Sequence, residues 1–458
     1  MTKSRDTQIH KLVTKLINTE RIQLLQSILE PLKPFEIAQV LLQLKLKHQL
    51  VVLENLNRET SSEVINNLQD SPSILGEIVE QMSPERLSEA IKDMPQDDAA
   101  DLVGMLDEEK AETLLDKLTE KDRAELTHLL QYDEESAGGL MTPYVVSIRK
   151  DQTVAGAVKE IQKFVKKEGF ELFYTAYVVD DFDHLIGTIG TTELLLAERH
   201  TLIENLMNPE VIAVDQNLDQ EEVAQIAQEN DLVVVPVIDQ HLRLIGRVTL
   251  DDLVDVIVEE YNEDIGHISG TGAEEVGETS VIRASGDRLP WLLVGLFGGF
   301  LTAFVMSYYE NALISLPDVT YFIPLVAALG GSIGIQSSSI VVRGLATGAI
   351  QTTDLLVRLW KELRVALLNG IICSLILAAM SWYLTNDFER AITSGVSLLI
   401  VVCFAATVGS TIPILLKRMK VDPALATGPF ITTTSDIIGI AIYLGFAFNV
   451  SFSLLFSS

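Results

Sequence analysis

The spacing of apolar positions changes its rhythm three times along the chain. Between Ser71 and Leu130 the period is twelve, in five units: SPSILGEIVEQM, SPERLSEAIKDM, PQDDAADLVGML, DEEKAETLLDKL and TEKDRAELTHLL. Each unit ends on an apolar residue, Met82, Met94, Leu106, Leu118 or Leu130, and its eighth place holds Ile78, Ala90, Leu102, Leu114 or Leu126. Ser, Asp or Thr opens four of the five units, which suits a helix N-cap, where a side-chain oxygen accepts from an orphan backbone N–H. Short capped helices that bury their last turn on their neighbours stack into a superhelix. Residues 1–70 read as helical too, with less pattern.

The second rhythm is a longer duplication. One copy runs from Met141 to Ala197 and the other from Met207 to Ile257. Each has a Met-x-Pro opening, an amphipathic helix, a β-run and a Leu-Ile-Gly turn, in that order. This resembles a tandem pair of cystathionine-β-synthase-type (CBS) domains. An acidic helix, DDLVDVIVEEYNEDIGHISG, follows from Asp251.

After residue 285 the pattern becomes nearly continuous. Five apolar stretches, roughly 290–308, 321–346, 365–384, 395–416 and 431–456, each approach the ~20 residues that span a bilayer. Between them, segment 347–364 carries Arg358, Lys361 and Arg364, and segment 417–421 carries Lys417, Arg418 and Lys420. Loops 309–320 and 385–394 share one basic residue, Arg390. The positive-inside rule puts the two basic segments in the cytoplasm. The N-terminal domains then lie inside and the C-terminus, after five crossings, outside. The polar start, MTKSRDTQIH, fits N-terminal domains that stay in the cytoplasm.

Charge sharpens the division. The net charge is −30; from Ser285 onward nine Lys/Arg balance nine Asp/Glu, leaving 25 basic and 55 acidic residues before it. So acidic a surface repels nucleic acid and attracts cations. The two cysteines, Cys373 and Cys403, lie in apolar runs, which excludes a disulfide framework or a cysteine zinc site.

Gly330-Gly331-Ser332-Ile333-Gly334 fits the G-x-S-x-G nucleophile elbow. A serine nucleophile needs a base within reach. No histidine follows His267, and the lysines after 285 all fall in the basic loops, so no enzyme is expected. The glycines have two other uses. One is close packing of membrane helices; the other is a broken helix whose freed backbone faces a water- or ion-filled cavity. Pro324, Gln336 and the run Ser337-Ser338-Ser339 favour the cavity. In 427-TGPFITTTSDIIG-439, Asp436 is a mid-span carboxylate, at a cost of about 2.5–3.5 kcal/mol. It is retained when it faces an ion path or a partner; pairing with Arg343 is the bland alternative. Oxygen donors of this kind suit a hard, hydrated cation such as Mg²⁺.

GGSIGIQSSSIVVRGLATG, DPALATGPFITTTSD and SAGGLMTP, with the CBS pair and five spans in this order, resemble the MgtE family of magnesium channels over essentially the whole chain. The resemblance implies a multi-domain membrane protein. It has an α-helical superhelical N domain (1–136), an α/β tandem CBS pair (137–200 and 201–257), an acidic connecting or plug helix (258–285) and an all-α membrane domain of five transmembrane helices (286–458). It implies a homodimer in the lipid bilayer of the plasma or inner membrane, with a pore between the two membrane domains. The pore aspartate falls on Asp436, and the family's Gly-Gly-Asn-x-Gly-x-Gln falls on Gly330, Gly331, Ser332, Gly334 and Gln336, with Thr432, Thr433 and Thr434 as polar lining. Ser332 replaces the asparagine, which leaves Co²⁺, Mn²⁺ or Ca²⁺ as alternative cargo. Regulatory Mg²⁺ is implied at Asp97 and Asp101, at Asp219, Glu221 and Asp231, and at Asp252, Asp255, Glu260, Glu263 and Asp264. ATP is a possible second ligand, since Gly246, Thr249 and Asp252 match the ribose-binding pattern of CBS domains. The rival class is a CBS-domain membrane sensor without transport.

Overall fold

The structure is a computed structural model that describes residues 2–69, 71–168, 174–271, 281–315, 317–351, 353 and 355–455. It separates after Glu260 into two compact units.

The first unit begins with helices α1 (Thr2–Asn18), α2 (Ile22–Leu29), α3 (Pro34–Leu41), α4 (Leu46–Glu54), α5 (Arg58–Asn66) and α6 (Pro72–Gln81). They continue as α7 (Pro84–Ile91), α8 (Gln96–Gly104), α9 (Glu108–Leu115) and α10 (Glu120–Leu129). The twelve-residue stack therefore reaches back to α2. Leu32, Leu44, Leu56 and Leu68 hold the same closing place as Met82 and Met94, and the fourteen-residue step from Leu68 to Met82 hides the continuity. Three of the expected caps form: Ser83, Asp107 and Thr119 accept from the backbone N–H groups of Arg86, Lys110 and Asp122. Ser71 makes no such bond. Leu75, Ile78 and Val79 are fully buried, and the core runs on through Leu102, Leu114 and Leu126.

A short helix, α11 (Ala137–Leu140), precedes the duplicated part. The first copy holds β1 (Ser147–Arg149), α12 (Val154–Glu168), β2 (Thr175–Val179), β3 (Leu185–Gly190) and α13 (Thr191–Leu196). The second holds β4 (Val214–Asp215), α14 (Gln220–Glu229), β5 (Val235–Ile238), β6 (Leu244–Val248) and the start of α15 (Leu250–Ser269). In both sheets the first pair is parallel and the second antiparallel, with an irregularity at the same place. The recurring motifs are explained by exchange between the copies. A Cβ on Gly187 would meet the Met207 sulfur at 2.8 Å, and one on Gly246 would meet the Met141 sulfur at 2.5 Å. Each opening methionine thus seats on the Leu-Ile-Gly glycine of the other copy. α15 continues as one helix across the expected boundary at 257. Residues 272–280, which complete the expected connecting segment, lie outside the described residues.

The second unit contains the last turns of α15, then α16 (Val281–Tyr308), α17 (Glu310–Ser315), α18 (Ile323–Ala346), α19 (Leu355–Thr385), α20 (Phe388–Arg418) and α21 (Pro429–Leu455). Among the described residues, five helices are long and apolar enough to cross a membrane. α19 and α20 have 31 residues each, about ten more than a bilayer needs. In α19 the excess is the basic sequence expected to be loop, and in α20 it is mostly residues 388–394, from the loop whose one basic residue is Arg390. In α19 a buried i,i+4 ion pair, Arg358 Nη2 to Glu362 Oε1 at 2.6 Å, keeps it helical.

The expected break at Gly330–Gly334 does not occur, since α18 is helical from Ile323 to Ala346. The glycines serve close packing instead. A Cβ on Gly334 would lie 2.6 Å from Ile431 Cγ2, and one on Gly331 would lie 3.3 Å from Thr432 Cγ2. On the other side, a Cβ on Gly409 of α20 would collide with the Gly334 carbonyl oxygen. In hydrocarbon, such backbone approach replaces the hydrophobic driving force that helices lose there.

Gly409→Ala is therefore expected to destabilise the membrane unit by about 1–3 kcal/mol through overpacking. Gly299→Ala, with open space around its Cβ position, is expected to cost almost nothing. Thermal unfolding of both variants in detergent checks the contrast.

Candidate functional site

The first concentration of chemistry is acidic and lies wholly in the first unit. α8 places Asp97 and Asp98 in its first turn and Asp101 one turn on, and Asp97 is only 8% exposed. Its Oδ1 is buried and takes no hydrogen bond among the described residues. The first half of α15 adds Asp252 and Glu259, and Glu134 approaches from the loop after α10; the negative charge of each raises the pKa of Asp101. Burial is the largest cause of the shifts. It pushes Asp98 and Asp101 up to about 7, with repulsion from neighbouring carboxylates added. Asp97 is raised for the same two reasons, burial first and then Asp98 and Asp252. Burial also raises Asp252, against the hydrogen bonds it accepts from the Thr249 hydroxyl (2.5 Å) and N–H (3.1 Å).

Arg247 is a cation beside this group. It is buried and senses Asp97, Asp251 and Asp252, but burial also lowers its own pKa. One guanidinium senses three of these carboxylates, Asp97, Asp251 and Asp252. The remaining charge must be met by protons or by added cations, and an all-oxygen donor set with an orphan carboxylate oxygen fits a hard divalent ion.

The other expected regulatory acids are spread more widely. Asp219 caps α14 by accepting from the Glu221 N–H at 2.9 Å, so both mark one helix start. Gln220 between them donates to Glu260 at 2.7 Å, which ties that start to α15. Asp231 is exposed at a positive φ of 53°, and Asp255 is exposed on α15. Asp98, Glu134 and Glu259 were not legible as members of the cluster, because only the fold brings α8, the post-α10 loop and α15 together. The Asp97-Asp98 doublet was the available signal.

In the second unit, α18 and α21 carry the expected pore residues. Gly330, Gly331 and Gly334 are buried against Thr432, Ser435 and Ile431. Ser332 and Gln336 lie on the opposite, exposed face of α18, one helical turn apart. Thr433 turns toward Gly298 of α16. Asp436 is half-buried on α21, and among the described residues it makes no ion pair with Arg343. A buried polar tie was not anticipated. Ser337 Oγ donates to Glu362 Oε2 at 3.2 Å, and Glu362 is the partner of Arg358. This fixes α18, just after its glycines, to α19. Sequence pattern did not reveal it, since Glu362 sits among basic residues that read as loop.

A third group lies in the second unit. Glu263 and His267 on the end of α15 meet Asp422, just before α21, with one ligand atom from each within 4.8 Å of the others.

The pH dependence of the first unit follows from Asp98 and Asp101. Their folded pKa, about 7, lies above the ordinary 3.8. The folded state therefore holds protons that the unfolded state releases, and stability falls as pH rises through that window. With no divalent cation, the melting temperature of the purified chain is expected to drop by several degrees from pH 5 to pH 8. Millimolar Mg²⁺, or the pair Asp98→Asn and Asp101→Asn, is expected to flatten the slope; differential scanning calorimetry reads both.

Family models match in the same order as these elements: the MgtE intracellular N domain over residues 32–135, CBS domains over 137–200 and 203–259, and a divalent cation transporter domain over 323–446. The chain is 34% identical over 336 residues to the magnesium transporter MgtE of Thermus thermophilus, spanning 72% of this chain and 74% of that one. It is 30% identical over 432 residues to the magnesium transporter MgtE of Bacillus subtilis, spanning 94% and 95%. The solved cytosolic domain of the Mg²⁺ channel MgtE in complex with ATP matches at 33% identity with a TM-score of 0.49, covering 53% of this chain and 98% of that one. With both halves matched and relatives aligned along most of their length, the chain belongs to the MgtE family of divalent cation transporters.

Proposed function

We propose that this protein is a homodimeric channel that admits Mg²⁺ passively across the plasma or inner membrane and closes when cytoplasmic Mg²⁺ occupies its acidic domains. The observation that carries the reading is Asp436, a carboxylate held within a membrane helix without an ion-pair partner among the described residues. Such a group is stable where it faces water and cations. Ser332 and Gln336 add polar groups on an exposed face of α18, a face unsuited to lipid that a second copy or a hydrated path would cover. Asp436 raises the local concentration of the dication. Ser332, Gln336 and the hydroxyls of Thr432, Thr433 and Thr434 offer hydrogen bonds to its water shell.

Closure follows from the acidic cluster. With little cytoplasmic Mg²⁺, Asp97, Asp98, Asp101, Asp252 and Glu259 repel and loosen the packing of α8 on α15. A dication shared between them favours the compact arrangement, by its differential affinity for the two states. Asp219, Glu221, Asp231, Asp255, Glu260 and Asp264 extend the same acidic surface. α15 carries the change, because it runs unbroken to the approach of α21. The N-terminal domains lie in the cytoplasm and the C-terminus outside.

Liposomes holding the protein and an internal Mg²⁺ dye test the reading. Asp436→Ala is expected to cut Mg²⁺ entry by more than about tenfold, since focused charge raises local ion concentration by 10–10³. Entry through the wild type is expected to fade as Mg²⁺ rises on the cytoplasmic face. Wild-type liposomes that pass Co²⁺, Mn²⁺ or Ca²⁺ but not Mg²⁺ would assign the Ser332 pore to another cargo, and no flux of any dication would leave a sensor.

ATP would bind at the second CBS copy, where Thr249 and Asp252 hold the hydroxyl and carboxylate places of the ribose pattern. It would compete with the dication for Asp252. Titrating ATP into the Mg²⁺-free protein is expected to release heat that Asp252→Ala abolishes; a flat wild-type titration refutes the nucleotide site.

A further inference from the structure

The start of α19 reaches beyond its apolar stretch, and its rotation is fixed from inside. Arg358, Glu362 and Ala366 form the inward face, where Glu362 pairs with Arg358 and accepts from the Ser337 hydroxyl of α18. At 3.6 residues per turn, the opposite face carries Leu356, Val357, Trp360, Lys361 and Arg364, and all five are exposed. Lys361 and Arg364 stand one turn apart on that face, as i,i+3 side chains do. Neither makes an ion pair or a side-chain hydrogen bond among the described residues.

Trp360 sets the depth of this face. Trp382 and Tyr383 are exposed near the other end of the same helix, and exposed Leu367, Leu368, Ile371 and Leu375 continue the face between them. From Trp360 to Trp382 the axis runs about 33 Å at 1.5 Å per residue, close to the ~30 Å of a hydrocarbon core. Tryptophan and tyrosine gather at the two membrane–water interfaces. Trp360 therefore stands at the level of the lipid headgroups, and Lys361 and Arg364 stand with it. Long basic side chains at that depth lay their stems along apolar surface and lift the charge to the phosphates. An acidic protein surface would answer the two charges but not the indole and the leucines around them. A lipid with an anionic headgroup answers both.

We propose that Trp360, Lys361 and Arg364 form a binding site for an anionic phospholipid. Its phosphate lies between the two basic side chains, the indole sits beside the glycerol, and an acyl chain runs along Leu367 and Leu368. The site requires that α19 span the bilayer and is independent of what the pore conducts.

Quenching of tryptophan fluorescence by brominated lipid tests the site. Full-length protein carrying Trp291→Phe and Trp382→Phe keeps Trp360 as its one tryptophan. It is reconstituted without Mg²⁺ in brominated phosphatidylglycerol mixed with phosphatidylcholine, and again with the label reversed. Phosphatidylglycerol is expected to win at Trp360 by at least about fivefold, the gain that one basic side chain near an anionic surface brings. Lys361→Gln combined with Arg364→Gln is expected to remove the preference. A chain that keeps only Trp382 is expected to show none, and inorganic phosphate at constant ionic strength is expected to leave the Trp360 result unchanged. No preference at Trp360, an equal one at Trp382, or one that survives the double variant overturns the proposal. So does a preference that inorganic phosphate abolishes.

Should the tryptophan variants fail to fold, mass spectrometry of lipid retained by the purified wild type takes their place. Phosphatidylglycerol enriched over the host membrane and lost from the Lys361→Gln, Arg364→Gln chain supports the site, and equal retention by both chains overturns it. Neither readout involves Mg²⁺ flux. Failure of the channel reading would leave the lipid result standing, and failure of the lipid site would leave the channel.

Discussion

Unbalanced negative charge under burial is the constraint on which the first unit depends. α8 and α15 pack so that Asp97, Asp98, Asp101, Asp252 and Glu259 meet, with the cation Arg247 beside them. A protein selected for stability alone would not hold these groups together, because each carboxylate loses hydration and gains a repelling neighbour. The arrangement makes compaction conditional. Protons relieve part of the repulsion, because burial raises Asp98 and Asp101 to about 7.

The membrane unit solves the opposite problem. Its helices cannot rely on apolar burial to associate, so they rely on shape. Gly334 lets α18 touch α21 on one side, and its carbonyl accepts the bare Gly409 of α20 on the other. A buried ion pair, Arg358 with Glu362, is joined by the Ser337 hydroxyl and so is hydrogen-bonded on both carboxylate oxygens. Breaking one partner would leave a charge stranded, which is far costlier than the pair is worth. Packing and this tie together hold α18 in one rotation, with Ser332 and Gln336 turned outward.

α15 links these two physical regimes within a single helix. Its first turns carry acids that respond to charge, and its last turns lie against Gly428 and Pro429. The chemistry at its two ends differs, with carboxylates alone at one and an imidazole at the other.

Much of this was legible in the chain itself. Period twelve fixed the stacked helices because each must bury one turn on the next, and five long apolar runs fixed the spans because a bilayer sets their length. The duplicated Met-x-Pro and Leu-Ile-Gly motifs marked two α/β copies, although only the fold revealed that each methionine fills the other copy's glycine. Local pattern misjudged Gly330–Gly334, where a run that reads as a break is a continuous helix. Glycine costs a helix little when neighbouring backbones fill the space it leaves. Membership of the acidic cluster, the Ser337–Glu362–Arg358 tie and the meeting of His267 with Asp422 were decided by tertiary structure. Each joins residues far apart in the chain, and periodicity carries information only about neighbours on the same element.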